Sequence, residues 1–170
     1  QGSVFSLTVR LPVANIEAQD ELQTKLAEHV EQARHYGVEV MPLLRDGRKL
    51  SILVVDDHPV NRLVLKQQLE LLGVQATTAV SGVPALVLWQ QGAFDAVITD
   101  CHMPDMDGYE LTHNIRLIEQ QRQSARTPII AWTANVLVEE VQRSLAAGMD
   151  DLLTKPTELA ELRAKLLKCL

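Results

Sequence analysis

Several things are scarce in this 170-residue chain, and each scarcity removes a class of function. There are two cysteines, Cys101 and Cys169, too few for a disulfide framework, so a reduced compartment is the expectation. Basic residues are outnumbered, with 16 Lys and Arg against 22 Asp and Glu and a net charge of −6. Phosphate backbones select a clustered basic face, so a nucleic-acid surface is not expected. No apolar run approaches the ~20 residues that cross a bilayer, and no signal peptide opens the chain. No Gly-x-Gly-x-x-Gly or Gly-Lys-Ser/Thr loop follows the first strongly apolar run, which argues against a nucleotide-binding domain. With 46% hydrophobic and 22% charged residues, the chain has the material for a packed core.

What is present is a set of apolar runs that end in polar side chains. Ala96-Val97-Ile98 reads as a strand buried on both faces and delivers Asp100 to its carboxyl end, where the loop Pro104-Asp105-Met106-Asp107-Gly108 follows. Ile52-Leu53-Val54-Val55 ends in Asp56 and Asp57. Pro128-Ile129-Ile130-Ala131-Trp132 ends in Thr133 and Ala134, and Asp151-Leu152-Leu153-Thr154 ends in Lys155-Pro156. A weaker run, Val74 to Ala79, fits an edge strand with Thr77 and Thr78 facing water. Between the runs lie helical patterns: Val64, Leu65, Leu69 and Leu72 after Pro59; Leu86, Leu88 and Trp89 after Ser81; Leu111, Ile115 and Ile118 after Gly108. Leu137, Val141 and Leu145 are expected to form the inner face of a fourth helix closed by Gly148, and Leu159, Leu162, Leu166 and Leu167 mark a fifth.

Five strand–helix units predict a doubly wound, parallel α/β sheet, whose ligands gather at the carboxyl ends of the strands. If the strands are parallel, three carboxylates, a hydroxyl and an ammonium converge there. Singly, each motif has an ordinary reading: paired acids as solvated loop charges, Thr133 as a strand-end cap, Lys-Pro as a common dipeptide. His58, His102 and His113 show no zinc spacing. Their joint occurrence in register with the five units is what carries weight.

From about Lys49 to the end, these motifs, in this order, resemble the receiver domain of two-component response regulators, particularly the receivers of hybrid sensor histidine kinases. The resemblance implies a flavodoxin-like sheet of order 2-1-3-4-5 and a role in a His-Asp phosphorelay. By it, Asp100 is the phosphoacceptor, taking a phosphoryl group from phosphohistidine in cis or in trans and relaying it to a histidine phosphotransfer domain. Asp57 and Asp100 are implied as direct ligands of Mg2+ (or Mn2+), with Asp56 acting through water and His102 offering its backbone carbonyl. Lys155 and Thr133 are implied contacts of the phosphoryl oxygens, and Pro156 matches the family's cis proline. Such a fragment is a phosphoacceptor and not a kinase, and it makes no membrane contact. It is expected in the cytoplasm, within a parent kinase anchored in the inner membrane. The family's usual aromatic three residues before the lysine is replaced by Leu152, which suits a relay receiver without ring rotation. The alternatives are an aspartyl-phosphate phosphatase, which typically has an acid where His102 stands, or a non-phosphorylated docking module.

Upstream, residues 1–12 alternate polar and apolar side chains and resemble the closing strand of a histidine-kinase ATPase domain. Residues 13–48 read as a partly helical linker, with Leu22, Leu26 and Val30 at four-residue spacing and a short strand over Val38 to Met41. The chain begins at Gln1 and is expected to be a piece of a longer protein.

Overall fold

The computed structural model describes residues 42–134 and 137–170. The expected strand at 1–12, the linker helix and the strand at 38–41 lie outside the described residues. Val40–Leu170 form one compact unit.

In chain order the elements are β1 (Leu44–Arg45), β2 (Arg48–Lys49), β3 (Ser51–Val55), α1 (Pro59–Leu71), β4 (Gln75–Ala79), α2 (Gly82–Gln91), β5 (Ala96–Asp100), α3 (Gly108–Arg122), β6 (Ile129–Thr133), α4 (Val138–Ala147), β7 (Asp151–Thr154) and α5 (Leu159–Cys169). β3 to β7 build a sheet of order β4-β3-β5-β6-β7, and every pairing is parallel. Counted from β3, this is the 2-1-3-4-5 order. It puts β3 beside β5, so the ends carrying Asp56 and Asp100 are neighbours.

Alternation along each strand sorts side chains into two cores. Ile52, Val54, Ile98, Ile130 and Trp132 pack with Leu65 and Leu69 of α1 and Leu162 and Leu166 of α5. Leu53, Val55, Val97, Ile129 and Ala131 face the other way, onto Ala85 and Trp89 of α2 and Leu111 and Ile115 of α3. The central strands are continuous apolar runs because helices cover both faces. At the edge, β4 leaves Thr77 and Thr78 exposed.

Local chemistry fixes the helix ends. Pro59 opens α1, and Gly73, at φ +75°, stops it. Asp107 caps α3, its carboxylate accepting from the Glu110 amide at 2.8 Å. Gly108 begins α3 so close to β5 that a Cβ there would run into the Asp100 carbonyl. A side chain at 108 would push α3 away from the end of the central strand.

Two features differ from the expectation. β1 and β2 form a two-stranded antiparallel ladder around Asp46-Gly47, both at positive φ as a tight hairpin requires. Leu43 just before it is buried against the α1 side of the core, and its amide donates to the Leu72 carbonyl at 2.9 Å. The second difference is α4. Leu137 and Leu145 are 58% and 60% exposed, and the buried residue of the helix is Ser144. The inner face of α4 meets polar groups, so Leu137 and Leu145 turn to solvent, and of the expected apolar stripe Val141 alone is half-buried. Among the described residues no helix is long and apolar enough to cross a membrane.

Candidate functional site

The carboxyl ends of β3, β5, β6 and β7 meet at one rim of the sheet. Asp56 follows β3 directly and is fully buried, Asp57 beside it is exposed, and Asp100 is the last residue of β5. One carboxylate oxygen from each of the three lies within 4.8 Å of the others. Lys155, just past β7, reaches in with Nζ 2.6 Å from Asp56 Oδ2 and 2.7 Å from Asp100 Oδ2. The same ammonium lies 4.6 Å from the centre of the Trp132 ring. Lys155 also donates its amide to the Thr133 carbonyl at 2.8 Å, which ties the lysine's backbone to the end of β6. The Lys155–Pro156 peptide bond is cis.

A buried carboxylate requires partners for its charge. Asp56 has them: Oδ1 accepts from the His58 amide at 2.7 Å, Asn61 Nδ2 donates to both oxygens at 3.2 and 3.1 Å, and Lys155 takes Oδ2. Arg62 Nη1 donates to the carbonyls of Asp56 and Asp57 at 2.7 and 2.9 Å and pins the backbone between them. Asp100 Oδ1 accepts from the His102 amide at 3.2 Å. Asp57 is the exposed member of the cluster.

Three carboxylates this close to each other repel, and one ammonium offsets only part of that charge. The donor set is hard oxygen throughout, which is what a small divalent cation coordinates. The rim is therefore chemically suited to such an ion and to the phosphoryl oxygens that commonly accompany it.

Of the residues singled out in the sequence, Asp56, Asp57, Asp100 and Lys155 are brought together here, and Thr133 is buried at the end of the adjoining strand. His102 directs its amide to Asp100, while its imidazole turns away to Glu140, with Nε2 3.0 Å from Oε1. Asn61, Arg62 and Glu140 were not anticipated. Asn61 and Arg62 lie in the first turn of a helix whose opening at Pro59 is legible, so the signal for them was position on that turn. Glu140 carries no such signal, because it is 38 positions along the chain from the loop it touches.

Comparison with known proteins places this geometry. The virulence sensor protein BvgS of Bordetella bronchiseptica is 49% identical over 119 residues, covering 69% of this chain and 10% of BvgS. The chain spans about a tenth of the length of the curated relatives it matches. Among solved structures, the receiver domain of sensor histidine kinase PA1611 from Pseudomonas aeruginosa, with a magnesium ion coordinated in its active-site cleft, aligns with a TM-score of 0.64 and 40% identity over 71% of this chain and 97% of that one. A chain in the co-crystal of the Saccharomyces cerevisiae histidine phosphotransfer protein Ypd1 with the receiver domain of Ssk1 aligns with a TM-score of 0.67 and 28% identity, covering 71% and 88%. The response regulator receiver domain matches residues 52–167, and with the parallel sheet and its acidic rim this makes the chain a member of the receiver family of two-component signalling proteins.

Proposed function

We propose that this receiver accepts a phosphoryl group on Asp100 and relays it between histidines. The observation that carries the reading is the rim itself: three aspartate oxygens within 4.8 Å, two of them held by one lysine. Asp100 attacks the phosphorus of a phosphohistidine, a P–O bond forms, the P–N bond breaks, and the imidazole leaves with a proton. Lys155 follows the charge from the carboxylates onto a phosphoryl oxygen. The Thr133 hydroxyl, at the end of β6, donates to a second. Bound Mg2+ would neutralise the remaining phosphoryl oxygens, held by Asp57 and Asp100 directly, by the His102 backbone carbonyl, and by Asp56 through water. The assignment of Asp56 to the outer position follows from its partners, since His58, Asn61 and Lys155 already occupy its oxygens.

The partner on either side of the transfer is a histidine, on a kinase domain in cis or in trans and on a phosphotransfer domain. The Ypd1–Ssk1 co-crystal supports that class of partner. The parent protein is then a sensor kinase with this domain on its cytoplasmic side, residues 1–12 its ATPase remnant, 13–48 a linker and the receiver from about 49 onward. Labelling with acetyl phosphate and Mg2+ tests the acceptor. Wild type gains one acid-stable, base-labile phosphoryl group, and Asp100→Asn gains none; label retained in that variant would reassign the acceptor.

A further inference from the structure

α4 is attached to the body of the protein unlike its neighbours. α1 and α5 each bury two leucines and α3 buries six residues, whereas α4 buries Ser144 and leaves Leu137, Val138 and Leu145 58%, 67% and 60% exposed. Apolar burial therefore contributes little to holding α4. Polar contacts to the segment just after Asp100 take its place. Glu140 Oε1, in the first turn, lies 3.0 Å from His102 Nε2 and accepts a hydrogen bond from the Tyr109 hydroxyl. Burial, reinforced by the Glu140 carboxylate, holds the Tyr109 phenol far above its usual pKa, so it stays a donor. One turn later the Arg143 guanidinium lies 4.1 Å over the Tyr109 ring and 3.7 Å from Asp107, the cap of α3.

A continuous path follows from these contacts. Asp100 Oδ1 accepts from the His102 amide, the His102 ring meets Glu140, and Glu140 stands on α4. A change of bonding at Asp100 Oδ1 must alter the same residue whose ring fastens the helix. Leu152 on β7 is half-buried against the core, and β7 carries no aromatic side chain.

We propose that Glu140 is a positioning residue that couples the state of Asp100 to α4 through His102 and Tyr109. The inference rests on the phosphoacceptor reading of Asp100, and its test separates the two. Beryllofluoride with Mg2+ serves as the phosphoryl probe on the 170-residue chain. Fluorine NMR reads its occupancy, and amide exchange reads 137–147. In wild type the probe shifts exchange in α4 by about fivefold, the size of one hydrogen bond gained or lost. In Glu140→Ala the probe still binds, and the α4 shift falls below about twofold. Glu140→Gln, which keeps an acceptor oxygen, gives a shift nearer to wild type. Tyr109→Phe removes a single hydroxyl from the path and serves where the alanine variant loosens α4 outright; its shift is also reduced. A full shift in both Glu140→Ala and Tyr109→Phe overturns the proposal, as does loss of the bound-fluoride signal in Glu140→Ala, which would put Glu140 in the site itself. No bound-fluoride signal in wild type would instead overturn the reading of Asp100.

Discussion

Each end of the sheet holds a trio of aspartates close to the strand ends, and the two trios are treated in opposite ways. At the amino ends of the strands, Asp95 is gripped by Arg48 at 2.7 and 2.5 Å, with Arg45 at 3.7 Å. Asp150 pairs with Arg116 and Arg126, and Asp151 with Lys165 and Lys168. Each of these carboxylates has two cationic partners, although Arg116 also serves Glu119. At the carboxyl ends, the cluster of Asp56, Asp57 and Asp100 has one lysine, Lys155, which pairs with Asp56 and Asp100. On the proposed function, the same residue type has a structural use at one end and a chemical one at the other. What separates the two is the supply of cations: the fold places six around three carboxylates at its base and leaves a deficit at the rim, where the proposed metal ion and phosphoryl group would bind.

The sharpest way to break this contrast is to remove one acid from each end and measure metal affinity. Asp57→Asn is expected to weaken Mg2+ binding by about 100-fold, since loss of even an outer partner of a ligand costs 10–100-fold. Asp151→Asn leaves Mg2+ affinity as it was. Calorimetric titration checks both, and equal losses in the two variants would abolish the distinction between the ends.

Stability reverses the ranking. Burial pushes the Asp151 carboxyl up, but hydrogen bonds from Lys165 and Lys168 outweigh it and hold the group at about 2, below the ordinary 3.8. The unfolded chain therefore takes up this proton before the folded one does. The stabilisation is complete above pH 3.8 and is lost as pH falls towards about 2. Asp151→Asn should cost about 2 kcal/mol at neutral pH, the scale of a charge-assisted hydrogen bond, and it should flatten that acid limb. Urea midpoints collected across the acid range measure it. A variant whose acid limb matched wild type would show that the lysines contribute nothing to the folded state.

The two ends also differ in how far the sequence discloses them. The rim was legible because each of its acids follows an apolar run, and parallel pairing alone then brings the run ends together. The base was not, because Asp95 and Arg48, or Asp151 and Lys165, belong to separate elements with no shared pattern. The hairpin at Asp46-Gly47 carried its turn signal, but arginines flank it where alternating apolar residues would have marked strands. α4 misled for a physical reason. Leu137, Val141 and Leu145 have helical spacing, yet α4 is turned towards Tyr109, His102 and Asp107, which its own Glu140 and Arg143 engage, and the Ser144 hydroxyl satisfies itself on the Glu140 carbonyl at 2.9 Å. Periodicity reports which residues share a face; the chemistry of the opposing surface decides whether that face is buried.

The smallest expected effect is also the most specific, because its sign depends on the solution. With a chelator present, nothing external offsets the charge on the rim, and Asp57 contributes repulsion to Asp56 and Asp100 without a lysine of its own among the described residues. Asp57→Asn should then raise Tm by about 2–4 °C, the response of a domain this size to roughly 1 kcal/mol of relieved like-charge repulsion. With saturating Mg2+ the order inverts, since wild type gains binding free energy that the variant has lost. Melting curves of the two proteins in chelator and in Mg2+ give both comparisons. If the variant were the less stable in chelator as well, Asp57 would be holding the loop in place, and the rim would not carry the uncompensated charge that sets it apart from the base.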